Sequence, residues 1–184
     1  MSSDTVMFTD FWNDLTGEPI AGHEWFSEAE ARKRYGTSLV IAVDAAIMGP
    51  DGIPRPRWLV SVSRGARVEF LDEHRNTWRM VDYDPVDGRY FRTETTDYLY
   101  PTDDRHYGLS EAVLKVEAMA RPDGTGAVTV VDRAAGQKSI TEFRDIDVSS
   151  FWVDAPAFGE WDALTDPGES ATDAAATWSG PDQP

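Results

Sequence analysis

Asp97, Asp103, Asp104 and His106 bring three carboxylates and an imidazole into ten residues, beside Tyr98, Tyr100 and Tyr107. Such a set can hold a divalent cation or exchange protons, and a loop on a rigid β scaffold is where groups of this kind often work. The spacing matches no established ligand pattern, so a solvated surface loop is the competing reading. Asp44 is a second candidate, the single acid within the apolar run Leu39 to Met48 and in phase with Val40, Ala42, Ala46 and Met48. Small neighbours there leave room for a ligand, and burial would raise the carboxyl towards general-acid duty. The plain alternatives are that it faces water or pairs with an arginine across the sheet.

Other chemistry fails on inspection. Asp82, Asp84 and Asp87 precede Gly88, but aligning that glycine with a calcium loop sets Tyr83 and Pro85 where oxygen ligands are required. Ser61 stands where a Gly-x-Ser-x-Gly elbow around Ser63 needs glycine, and neither a His-Glu-x-x-His nor a phosphate-loop pattern occurs. Gly124 and Gly126 follow a turn and open no helix. The chain has no cysteine and three scattered histidines, His23, His74 and His106. No catalytic residue, metal ligand set or cofactor is assigned.

The remaining signal is aromatic and acidic residues interleaved at both ends: Asp10, Trp12, Asp14, Glu18 and Glu24 early, then Asp154, Glu160, Trp161 and Asp162 late. Tryptophan is the residue type most enriched at binding hot spots, and five of the seven tryptophans fall in the end segments. Charge follows the same division. Of 184 residues, 17 are Lys or Arg and 33 Asp or Glu, for a net charge of −16. Residues 1–31 hold seven acids and no base, and residues 145–184 hold nine acids and no base. The 113 residues between them balance 17 acids against 17 bases, so the ends carry the whole excess. A salt-adapted surface would spread its carboxylates more evenly. The negative charge argues against direct binding to nucleic-acid phosphates or an anionic membrane.

These groups must be positioned by the elements around them. Phe8, Phe11, Trp12 and Leu15 fall at i, i+3, i+4 and i+7, which predicts a short helix capped by Thr9 and stopped by Gly17. Ser27 with Glu30 forms a capping-box pattern and predicts a second helix to about Tyr35, with Gly36 following. From residue 38 the period is two, punctuated by turns at Pro50-Asp51-Gly52, Asp84 to Gly88 and Pro122 to Gly126. Residues 110–119 could be a helix, but the tight turn after Arg121 favours a strand. The expected fold class is α+β: a strongly curved antiparallel β-sheet or partly closed β-barrel of about eight strands, with N-terminal helices packed on it. The expected organisation is one domain over 1–164, with a helical acidic arm (1–37), a β meander (38–148) and an aromatic-acidic extension (149–164). A small, polar, acidic tail follows over 165–184 and is read as disordered.

No run reaches the roughly 20 apolar residues of a membrane span, and the N-terminus has no basic start or apolar signal core, so the cytoplasm is the expected location. The leading expectation is a non-enzymatic acidic protein that covers a basic protein partner. Its most concrete version is an immunity protein or antitoxin that blocks a toxin such as a nuclease. The alternative is a small-ligand-binding barrel or cofactor-free enzyme using Asp44 or the 97–106 loop. A structural or phage-type subunit is the third possibility.

Overall fold

A computed structural model describes residues 6–50 and 52–168. Its centre is one open antiparallel sheet. In chain order the strands are β1 (Val6–Thr9), β2 (Trp12–Asn13), β3 (Glu18–Pro19), β4 (Val40–Asp44), β5 (Trp58–Val62) and β6 (Ala66–Leu71). They continue as β7 (Thr77–Val86), β8 (Arg89–Leu99), β9 (Leu114–Ala120), β10 (Gly126–Asp132), β11 (Gln137–Phe143) and β12 (Trp152–Asp154). β4 to β11 form an uninterrupted meander, so the eight-strand antiparallel reading of residues 38–148 holds, including the strand at 114–120. β1 adds to β4, β12 pairs the first part of β8, and β2 and β3 form a separate hairpin.

Two expectations are corrected. The first concerns the helix over Phe8 to Leu15, which is absent: Val6 to Thr9 pairs with β4, with Phe8 opposite Ala42. An isolated helix of eight residues is marginal, whereas the edge of β4 offers the same backbone groups a ready ladder. Only Phe8 of the four-residue stripe is buried, while Phe11 and Leu15 are exposed. Thr9 caps no helix; its Oγ1 accepts from the Phe11 amide at 3.4 Å as the chain leaves the strand. Gly17, at φ 72°, closes the β2–β3 hairpin, with its amide on the Asn13 carbonyl at 2.8 Å.

The second correction is that no barrel closes. β1 would be the closing partner, but its outer edge is taken by Phe26, whose amide donates to the Phe8 carbonyl at 2.7 Å. At the far end, all seven residues of β11 are exposed, and its sequence is mostly polar on both faces. Closure would bury that polar surface with nothing to offset its desolvation.

The second predicted helix is present as α1 (Glu28–Arg34), the one α-helix among the described residues. Ser27 caps it by accepting the Glu30 amide at 3.2 Å. Only half of the capping box forms, because the Glu30 carboxylate turns to Arg34 Nε at 2.7 Å. α1 packs on β1 and, through Ala31, joins the segment after β12 over one face of the sheet. The main core lies between them and contains Phe8, Ala31, Val40, Ala42, Val60, Val68, Phe70, Val81, Trp161 and Leu164. A smaller cluster on the opposite face, Ile41, Val43, Leu59 and Leu71, is covered by Met7, Trp12, Trp25 and Leu39. β4 is therefore buried on both faces, which accounts for its continuous apolar run. Gly65, in the turn from β5 to β6, fits because a Cβ there would lie 2.4 Å from the Tyr83 carbonyl. No helix among the described residues is long and apolar enough to cross a membrane.

Candidate functional site

A β-bulge shapes the core-side face: Phe70 pairs Arg79 while Leu71 pairs Thr77, leaving Trp78 as the extra residue. The displaced indole lies 5.7 Å from the Phe70 ring and becomes part of the wall of a cleft of about 490 Å³. Val6 and Phe8 of β1, Trp58 and Phe70 of the sheet, and Phe158 and Trp161 of the C-terminal segment supply most of its apolar lining. Its charged lining is Glu28, Asp44, Arg57 and Asp162, an excess of two negative charges.

Asp44 is buried at the end of β4, with one carboxylate oxygen 2.7 Å from Arg57 Nε and the other accepting the Ala46 amide at 3.2 Å. It is paired to an arginine, and it also lines the cleft. The Arg57 side chain is 62% exposed, so solvent reaches the pair from one side.

The cleft is also where the acidic ends meet. Phe8 and Phe158 lie 5.1 Å apart, Tyr35 contacts both Phe158 and Trp161, and the Tyr35 hydroxyl donates to the Pro156 carbonyl at 2.7 Å. Burial pushes the Tyr35 phenol up to about 12, so it stays protonated as that donor. This packing brings Glu28 from one acidic end and Asp162 from the other to a single cleft.

The remaining predicted partner residues divide. Glu160 and Asp162 are exposed, and Asp154 is exposed with Arg89 Nε at 3.1 Å. Trp161 is 4% exposed and belongs to the core. Asp10 lies 2.9 Å from His23 Nδ1 and 3.5 Å from Arg34 Nη1, so part of its charge is answered locally. Trp12 packs against Trp25 on the far face of the sheet, centroids 6.0 Å apart, while Glu18 and Glu24 are exposed.

The group Asp97, Asp103, Asp104 and His106 does not assemble. Asp97 lies in β8, not in a loop, and makes a bidentate pair with Arg79, Nε–Oδ1 2.6 Å and Nη2–Oδ2 2.8 Å, both side chains 2% exposed. Arg79 also donates to the Pro167 carbonyl, which ties the chain after Leu164 to the sheet. Asp103 and Asp104 are exposed, and the loop is held instead by buried Asn76, which accepts the Tyr107 amide at 2.6 Å and donates to the Arg105 carbonyl at 3.0 Å. His106 Nδ1 lies 3.2 Å from the His74 carbonyl. Among the described residues no group of three or more His, Cys, Asp or Glu is arranged to hold a metal ion.

Sequence reasoning missed a carboxylate pair on the far face. Asp14, in the loop that joins β2 to β3, has its carboxyl raised by burial, offset in part by His106. Glu69 is pushed up to about 7, first by burial and then by the Asp14 charge. Its alternation with Val68 and Phe70 marks it as outward-facing, and the Asp14 charge that acts on it comes from a segment distant in sequence. Comparison with known proteins finds no family model, no curated protein and no solved structure that matches this chain.

Proposed function

We propose that this is a non-enzymatic binding protein whose acidic surface covers a basic protein partner, most concretely an immunity protein or antitoxin that blocks a toxin such as a nuclease. The observation that carries the reading is the meeting of two base-free, acidic segments of the chain at one cleft, through Phe8, Tyr35, Phe158 and Trp161. A negative rim around apolar walls suits a basic surface with protruding side chains: the charges speed encounter and the aromatic lining retains what enters. Exposed Glu24, Glu28, Asp154, Glu160 and Asp162 are the carboxylates assigned to capture.

The test is affinity capture from the source cells, followed by binding kinetics on the recovered basic protein. Raising salt from 0.1 to 1 M shortens the screening length from about 10 to about 3 Å, so association should slow steeply. Neutralising the five carboxylates together should reproduce that loss with little change in dissociation. A partner indifferent both to salt and to the five substitutions overturns the reading.

A second reading, a small-ligand site, is favoured by the volume of the same cleft and by the Asp44–Arg57 pair at its wall. Its ligand would be an apolar body carrying a cationic group, and Trp58, Trp78 and Trp161 would report its entry by fluorescence. Binding of such a compound that is abolished by Asp44→Asn, with no protein partner recovered, would select it.

A further inference from the structure

β11 is the terminal strand of the sheet, and among the described residues β10 is its only strand partner. Natural edges are usually blunted by proline, a bulge, shortness, charged side chains or an inward-pointing charge. Of these β11 has only charged side chains, Lys138 and Glu142, and the two are opposite in sign. It is seven residues long, holds unbroken register with β10 and contains no proline. Its charged residues, Lys138 and Glu142, share the face away from the core with Ile140, which is 60% exposed.

The sequence of this edge is complementary to itself. In an antiparallel pair of two copies centred on Ile140, Lys138 of each stands opposite Glu142 of the other. Ser139 stands opposite Thr141, Gln137 opposite Phe143, and the two Ile140 side chains meet. Neighbouring registers lack this match. Centring on Lys138 or Glu142 opposes identical charges, and centring on Thr141 brings Lys138 against Arg144. Opposite charges across a ladder stabilise it and like charges destabilise it.

Charge also decides which surface of a −16 chain can approach its own copy. Residues 114–144, spanning β9 to β11, carry five bases and four acids, so this wing escapes the negative excess of the ends. We infer that two copies associate through their β11 edges, antiparallel about Ile140, into one sheet continuous across a two-fold axis. The axis repeats each Lys138–Glu142 pair and leaves the acidic cleft of each copy free. The contact is small, which puts it in the weak or transient class.

Sedimentation equilibrium up to about 1 mM, the range a small transient interface requires, tests this on the full chain. Wild type should form dimers. Lys138→Glu and Glu142→Lys should each weaken dimerisation about tenfold or more, since each turns two attractive cross-strand pairs into repulsive ones. The double variant K138E/E142K restores complementarity and should return the dimer to within about threefold of wild type by the same pairing rule. Unchanged circular dichroism and melting at low concentration verify the fold, as expected for substitutions at exposed sites. A monomeric wild type overturns the inference. So does a dimer insensitive to the single swaps, or a double variant as weak as the worse single.

Discussion

β4 and β11 belong to the same ladder, yet every residue of β4 is buried and every residue of β11 is exposed. β4 is paired on both sides and β11 on one, and cover over the faces adds to that difference. β4 is enclosed by α1 and the C-terminal segment on one face and by Trp12, Trp25 and Met7 on the other. The wing from β9 to β11 has less cover: Val116 of β9 is buried, but every residue of β10 is only half-buried. Covered strands hold the molecule together through apolar burial; uncovered ones contribute less to folding and leave surface for association.

The Arg79–Asp97 pair sits where the covered region gives way to the wing, and breaking it should have the largest effect. Arg79→Met leaves a buried, uncompensated carboxylate and should cost about 3–5 kcal/mol in urea denaturation followed by tryptophan fluorescence. Replacing both residues by apolar ones should cost less than Arg79→Met alone. A single-variant loss within the range of a surface pair would show that the boundary is not held there.

The next comparison is direct. Leu59→Ala, on a strand buried from both sides, should cost about 2–5 kcal/mol, whereas Ile140→Ala in the wing should change stability by less than about 0.5 kcal/mol, measured at concentrations where the chain is monomeric. Equal losses would mean that the wing is as firmly packed as the centre.

A smaller effect should appear with pH at Glu69. Its folded carboxyl titrates near 7, above the ordinary value of 4.5, so the folded state holds the proton more tightly than the unfolded state. Stability from this group is full below about pH 4.5 and declines as pH rises through 7, by on the order of 2 kcal/mol. Glu69→Gln should flatten that decline and be the more stable protein at pH 8. Asp14→Asn should move the midpoint of the decline down, because it removes a neighbouring negative charge. Denaturation midpoints at pH 5 to 8 check both; parallel profiles for wild type and Glu69→Gln would show that this carboxyl is not raised in the folded protein.

Much of the candidate site was legible as residues but not as a place. Asp44 stood out as the acid in an apolar strand, and Glu28 and Asp162 as members of base-free segments. Their meeting at one cleft depends on Phe158 and Trp161 reaching Phe8 and Tyr35 across more than 120 residues, which no local pattern specifies. The bulge that turns Trp78 into the cleft likewise follows from the pairing of β6 with β7. Asp97 was misread with its loop because Arg79, which buries it, lies on the neighbouring strand.

Local chemistry settled what the sequence alone could settle. Period-two alternation punctuated by turn residues determined the meander, although β7 continues through Asp84 and Pro85 to Val86 and leaves Asp87 and Gly88 to turn, and Ser27 before an acidic first turn determined α1. Charge partition is a property of composition and needed no fold. The N-terminal segment shows the limit: Phe8, Phe11, Trp12 and Leu15 satisfy the helical period, but a short helix gains too little locally to outweigh an available strand edge. The fate of that edge also decided against closure, since β1 is capped by Phe26 while the polar β11 stays open. Tertiary structure decides whenever backbone groups have two possible partners, because the choice rests on contacts distant in sequence.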